Sequence, residues 1–458
     1  MAELEVELSE AINSEDVDSE IWNAVNRIGF PEYDESTTSP IEGEDADIWG
    51  YYYYADPTLD RTIIVDPISM TFIGWIPTLE GGHPGSADRA GYTDRMYIRT
   101  SGVTGARPTS YDVVDARHKN RIGSIWLPDP DEPENTSVGL VPRGCGAFNK
   151  YQNLQVISHK LEPLCTIIDV DTDRPAAPAV GEKVTDQTID ANWDTNATGH
   201  GNWLDQNHFT LLDRFRDQIK IFNIEETTGK QGDYTITQTD TVQMPMCAHV
   251  IDEDIQDQTL NRGVYWAGIE GSTTRDVAPN IIEYTYVDGS GLLVKGDTVD
   301  FPNIETSDQL HHYGYWQKHK ELWVPLWVSK KTFVINVDGG TENMTILNGD
   351  GYDTGLGGSH VNFSDSLDLA IITNHFDRMI HIIDRNGNIT EVEVTQTTDI
   401  TPPAIGYWRQ SHINHVTPDG FFFHLFSMQD GIFVEVNLKT KTVTRTLFTG
   451  GNPEQSSS

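Results

Sequence analysis

The sequence predicts an all-β chain folded as a β-propeller of seven or eight four-stranded blades, preceded by an N-terminal arm with a short helix. Two observations carry that reading. A short apolar strand, a polar turn and an "xIIDx"-like strand recur along the chain at spacings of roughly 40 to 65 residues. No linker-like stretch separates the recurrences, and an array of Ig-like sandwiches would need longer repeats, of about 90 to 100 residues. A small sheet cannot bury both of its faces alone, so repeated sheets stack around an axis until the ring closes.

The elements follow in order. Residues 1–47 are acidic and rich in Ser, Glu and Asp. Ile21, Val25 and Ile28 recur there at helical spacing, with Ser14, Asp16 and Asp18 as N-cap candidates and Gly29 as a stop. This segment reads as an arm packed on the main body, able to support an oligomer. Residues 48–450 form the propeller and 451–458 a flexible C-terminal tail. Eight units carry the repeat: "RTIIVDPISMTFIGWIP", "SYDVVDARHKNRIGSIWLP", "LCTIIDVDTDRP", "QIKIFNIEETTG", "NIIEYTYVDGSG", "TFVINVDGGTEN", "MIHIIDRNGNITEVEV" and "GIFVEVNLKTKTVTRTLF". Residues 48–80 lack an obvious first strand, which leaves seven blades open beside eight.

Composition narrows the partners. The 458 residues include 31 Lys and Arg against 70 Asp and Glu, a net charge of −39 with histidine neutral. Nucleic acid is excluded as a partner, because phosphate contacts need a basic footprint. The charge reads as a solvated acidic coat, as on halophilic proteins that stay soluble in concentrated salt. Aromatic content of 10% argues against disorder. No apolar run of about 18 residues occurs, so membrane insertion is not expected. The first twenty residues show no export signal. Two compartments stay open: cytoplasm or virion, or the periplasm or exterior if an export signal has been removed. Cys145, Cys165 and Cys247 form no CxxC pair.

A histidine stands at the start of most units. "EGGHPG" carries His83, "TGHGNW" His200, "MCAHVI" His249, "LHHYGYW" His311 and His312, "GGSHVNF" His360 and "QSHINHV" His412 with His415. Unit three carries Cys145 instead. The steps from His200 to His249, His312, His360 and His412 are 49, 63, 48 and 52 residues, matching the repeat. The first strand of a blade lines the channel, so one residue type repeated just before it converges on the axis. Imidazoles favour Zn, Cu, Fe and Ni, and a site poor in carboxylate favours copper, with zinc the alternative. His83, His200, His249, His311, His312, His360 and His412 are therefore the expected metal ligands. The bland reading is that loop histidines tie neighbouring blades together. His118, His159, His208, His319, His375, His381 and His424 read as structural. Asp88 and Asp205 are candidates to orient ligating rings. The chain has no Walker loop, GxSxG or HExxH motif. The loops "DRNGN" and "NGDGYDTG" read as β-turns rather than calcium sites.

Histidines presented into a propeller channel by successive blades resemble the multi-copper propellers: the catalytic domain of nitrous oxide reductase and the single-domain thiocyanate dehydrogenases. The resemblance spans about residues 48–450 and rests on architecture. It implies an imidazole-held copper cluster, a small inorganic substrate at the channel mouth, and an electron-acceptor protein. Its ligand set maps onto His83, His200, His249, His312, His360 and His412. Two departures stand out. Nothing after residue 450 resembles the cupredoxin domain of nitrous oxide reductase, and the lysine and acidic site residues of thiocyanate dehydrogenases find no counterpart. The expectation is a copper-dependent oxidoreductase. The competing expectation is a non-catalytic propeller, an interaction module on a particle or virion surface. A calcium-dependent hydrolase or lyase is a third, opposed by histidine where carboxylates would be needed.

Overall fold

The structure, a computed structural model, describes residues 51–450 apart from interstrand segments, the longest being 101–109, 185–196, 254–261 and 396–409. The arm, its expected helix and the tail lie outside the described residues. Every pairing between the described strands is antiparallel, and the helical structure among the described residues is one 3₁₀ turn, Gln317–His319.

The described strands form eight sheets in chain order: residues 52–77, 82–126, 147–181, 208–243, 248–300, 314–353, 358–393 and 415–448, here sheets 1 to 8. Within each, consecutive strands pair with their neighbours as a meander. Each of eight apolar clusters joins two consecutive sheets, and the last joins sheet 8 to sheet 1. The stack therefore closes on itself as a β-propeller. The first strands of sheets 6, 7 and 8, Gly314–Trp316, Gly358–Ser364 and His415–Val416, lie side by side around the axis.

The sequence pattern explains the burial. Middle strands such as Leu164–Asp169 are buried at every position, because a neighbouring sheet covers each face. Rim strands such as Tyr234–Gln243 read YTITQTDTVQ and are mostly exposed, with Thr, Gln and Asp along the unpaired edge. The recurrent Asp or Asn of "xIIDx" ends the strand before the outermost one and caps the hairpin. Asp66 accepts the Ile68 amide at 2.8 Å, Asp169 that of Asp171 at 2.9 Å, Asp384 that of Asn386 at 2.9 Å and Asn437 that of Lys439 at 2.9 Å. In three of these turns the residue four positions on, Met70, Asp173 or Lys441, is left-handed, with φ of 52–54°. The "DRNGN" loop is such a turn: its carboxylate also accepts the Asn388 amide at 3.0 Å.

Not every sheet has the expected four strands. The outer strand of sheet 3 is split into Arg174–Pro175 and Val180–Gly181 by a run that contains Pro178, since proline cannot donate to a ladder. That of sheet 6 is split by a turn in which Gly349 and Gly351 have positive φ. Sheets 1 and 4 hold three named strands among the described residues. In sheet 4 the innermost position is taken by residues 198–203, which pair with strand His208–Asp213 irregularly, through the isolated bridges Thr198–Asp213 and Trp203–Phe209.

Candidate functional site

Three sheets bring imidazoles together at the inner edge of the ring. His200 rides on the irregular inner segment of sheet 4. Gly199 donates to Leu212 O at 3.1 Å, and Asn202 to Thr210 Oγ1 at 2.9 Å. Gly201 lies so close that a Cβ there would sit 2.3 Å from the Thr210 carbonyl oxygen. The "GHG" spelling is thus a packing requirement on which the imidazole is mounted.

His311 and His312 precede the first strand of sheet 6. Buried Asp308 anchors that segment by accepting the amides of Val328 at 2.8 Å and Ser329 at 3.0 Å. Leu310 donates to Glu270 O of sheet 5 at 3.0 Å. His360 lies in Gly358–Ser364, where the pairing register shifts between Gly358 and Val361. The Thr373 hydroxyl accepts the His360 amide at 3.3 Å and donates to its carbonyl at 3.2 Å.

His312 is the centre of the group. Its ring centroid is 4.2 Å from His360, 4.4 Å from His311 and 5.5 Å from His200. Trp327 packs edge-on against His311 at 5.0 Å. Burial holds the His312 pKa well below the ordinary histidine range, and the neighbouring His360, His311, His200 and His375 push it further down. Burial lowers His360 to about 4. Both rings are therefore neutral at pH 7, the form that offers a nitrogen lone pair to a metal.

Donor chemistry and ring orientation point different ways. Clustered neutral imidazoles suit copper or zinc. However, His312 and His360 are stacked, with 25° between their planes. A ligating lone pair lies in the ring plane with nitrogen about 2 Å from the metal, so stacked rings do not aim at one point. Among the described residues, no three His, Cys, Asp or Glu side chains are arranged to hold a metal ion. Rotation of one ring out of the stack would be needed.

The other expected ligands stand as follows. His83 pairs with Arg99 in strand Gly82–Ala90, the first of sheet 2. His249 occupies the bulge between Ala248 and Val250 in the first strand of sheet 5. The side chains of both, and that of Asp88, lie outside the description, as do His412, His118, Cys145 and Cys247. Asp205 does not fit its expected role. Its carboxylate is taken up by the His208 ring at 2.9 Å, the Tyr286 hydroxyl and the Gly289 amide at 2.9 Å, which tie sheet 4 to sheet 5. These bonds outweigh burial and hold its pKa below the usual carboxylate range.

Sequence reasoning placed His375 among structural outer positions, yet it lies beside the group, 5.7 Å from His311 and 6.4 Å from His360. It directly follows Leu369–Asn374, the second strand of sheet 7. Antiparallel pairing puts the end of a second strand beside the start of the first. That signal was present in the sequence. His159 holds the same place after Leu154–Ser158 in sheet 3, fully buried with Nε2 2.7 Å from Thr166 Oγ1.

No protein-family model matches the chain, and no curated protein sequence matches it. Solved structures do. Dihydro-heme d1 dehydrogenase NirN is 12% identical with a TM-score of 0.55, over 94% of this chain and 80% of that one. A candidate 6-phosphogluconolactonase from Bacteroides fragilis is 11% identical with a TM-score of 0.52, over 76% and 95%. A second, from Bacteroides uniformis, is 13% identical with a TM-score of 0.50, over 75% and 93%. At such identities the likeness establishes the β-propeller fold alone.

Proposed function

We propose that His200, His311, His312 and His360 bind a transition metal, copper first and zinc second, and that the protein is a copper-dependent oxidoreductase acting on a small inorganic substrate in the manner of thiocyanate dehydrogenase. One observation carries the proposal: four imidazoles from three separate sheets meet, with His312 at the centre. Two neutral, buried rings at its centre would repel each other once protonated, which suits a ligand role better than a general-acid role. His83 and His249 belong to the first strands of sheets 2 and 5 and, with His412, which lies outside the described residues, extend the proposed set. When bound, copper supplies Lewis acidity and one-electron chemistry. The chain's own contribution is to keep the rings neutral and to mount them on hydrogen-bonded segments at the inner edges of three sheets. An electron-acceptor protein would complete the turnover.

The His312–His360 stack favours a second reading, a non-catalytic propeller whose imidazoles simply pack the channel. One experiment separates them. The chain is purified without a histidine tag, equilibrated with Cu(II) and then Zn(II), and measured for bound metal and its electron paramagnetic resonance. The oxidoreductase reading expects at least one copper per chain with nitrogen hyperfine structure, lost in His312→Ala. Substoichiometric metal, or binding unchanged in His312→Ala, overturns it in favour of packing.

A further inference from the structure

We propose that His375 is a positioning residue: it holds the segment bearing His360 against the lead-in of sheet 8 and is not itself a ligand. The inference rests on the metal-site reading for its function but on separate geometry for its mechanism. His375 is fully buried. Its Nδ1 is 3.1 Å from the Gln410 carbonyl oxygen, which can only accept, so Nδ1 carries the proton. Nε2 then bears the lone pair and accepts the Ser359 hydroxyl at 2.6 Å. Both ring nitrogens are committed and the tautomer is set. Its backbone amide donates to Gly357 O at 2.8 Å.

The two ring partners are what give this bond pair its reach. Ser359 precedes His360 inside the stretch where the register of Gly358–Ser364 shifts, and there the ladder alone does not determine the backbone. Gln410 bridges to Ser427 in sheet 8 and clasps sheet 7 with its side chain. Its Oε1 accepts the Asn374 amide at 2.9 Å, and its Nε2 donates to Asp377 O at 3.0 Å and Met379 O at 2.8 Å. His375 thus links the irregular stretch to the junction of two sheets, while its ring lies against His311, His360 and Trp327. Hydrogen-bond partners outside a ligand shell commonly change metal affinity by about 10–100-fold.

The test uses the full chain, with and without copper. A glutamine can donate its amide N–H to Gln410 O and accept from Ser359, whereas alanine can do neither. His375→Gln is expected to keep the copper spectrum and affinity. His375→Ala is expected to weaken copper about tenfold or more, and Ser359→Ala to shift the hyperfine pattern. In metal-free protein, ¹⁵N spectra of the histidine rings are expected to move at His311 and His360 in His375→Ala and to return in His375→Gln. Ring signals unmoved in His375→Ala overturn the inference whether or not metal binds. Loss of one coupled nitrogen in both His375 variants would make it a ligand and overturn it too. Absence of copper from the parent chain, with the ring signals behaving as expected, would sink only the metal-site reading.

Discussion

At the scale of single residues, small side chains decide where the large ones point. Gly201 is the clearest case, with no room for a methyl group against the Thr210 carbonyl. Gly201→Ala must push the 198–203 segment off its neighbouring strand. Overpacking of this kind typically costs about 1–3 kcal/mol. The expected outcome is a lower urea midpoint together with weakened copper uptake, since His200 moves with the segment. Gly123→Ala, where nothing lies within 4 Å, is the matched control and should leave both unchanged. Equal effects of the two substitutions would show that His200 does not depend on this contact. The histidine positions were legible from the repeat, because a residue type returning at the blade period needs no structure to be noticed. His375 was missed, because its signal lies in antiparallel pairing, which brings residue 375 beside residue 357, rather than in the repeat of one residue type.

At the scale of elements, sheet 8 carries a polar line through an apolar junction. His415, His424, Glu435 and Arg445 are register partners, one from each of its four strands. His424 Nε2 lies 3.1 Å from Glu435, Arg445 Nε donates to Glu435 at 2.8 Å, and Tyr52 of sheet 1 packs on His415 at 4.3 Å. Burial, then the nearby His424, push the His415 pKa down to about 4. Burial takes His159 to about 3 against an opposing hydrogen bond with Val141. Burial alone would raise the Glu435 carboxyl, but hydrogen bonds from His424, Arg445 and Thr444 prevail and hold it at about 2.

The signs follow from which state protonates first. An unfolded histidine takes up its proton near pH 6.5, before the buried ones do. Stability from His415 is therefore full above about pH 6.5 and is lost as pH falls toward about 4, and that from His159 toward about 3. The Glu435 contribution is present above its unfolded value of 4.5 and is lost as pH falls toward about 2. Urea unfolding from pH 7.5 to 4 should show stability falling below about pH 6.5, and His415→Phe, which keeps the stack on Tyr52, should make that fall shallower. Parallel profiles for the two proteins would refute the role of His415.

For the whole molecule, the decisive feature is closure. Sheets 1 and 8 are each built from consecutive chain, so among the described residues no strand is exchanged across their junction. Apolar packing of Tyr54, Ile63, Val65 and Met70 on Phe426 and Phe433 closes the ring, helped by Arg61 donating to Thr449 O at 3.0 Å and Arg445 to Ile68 O at 2.8 Å. Phe426→Ala should cost about 3–5 kcal/mol. Hydrogen exchange should then quicken first in sheets 1 and 8, as local opening would predict. Uniform quickening around the ring would show that the junction is no weaker than the others.

The sequence by itself determined the strand content, the period of the blades and the hairpin turns. These are local or periodic properties, written in which residues alternate and which residue ends each strand. Only the tertiary structure decided that eight sheets close, that Asp205 serves a sheet junction, that His375 joins the channel group and that His360 stacks on His312. Those outcomes depend on contacts between residues far apart in the chain, where ring orientation and carboxylate choice are set by neighbours that no short-range pattern names.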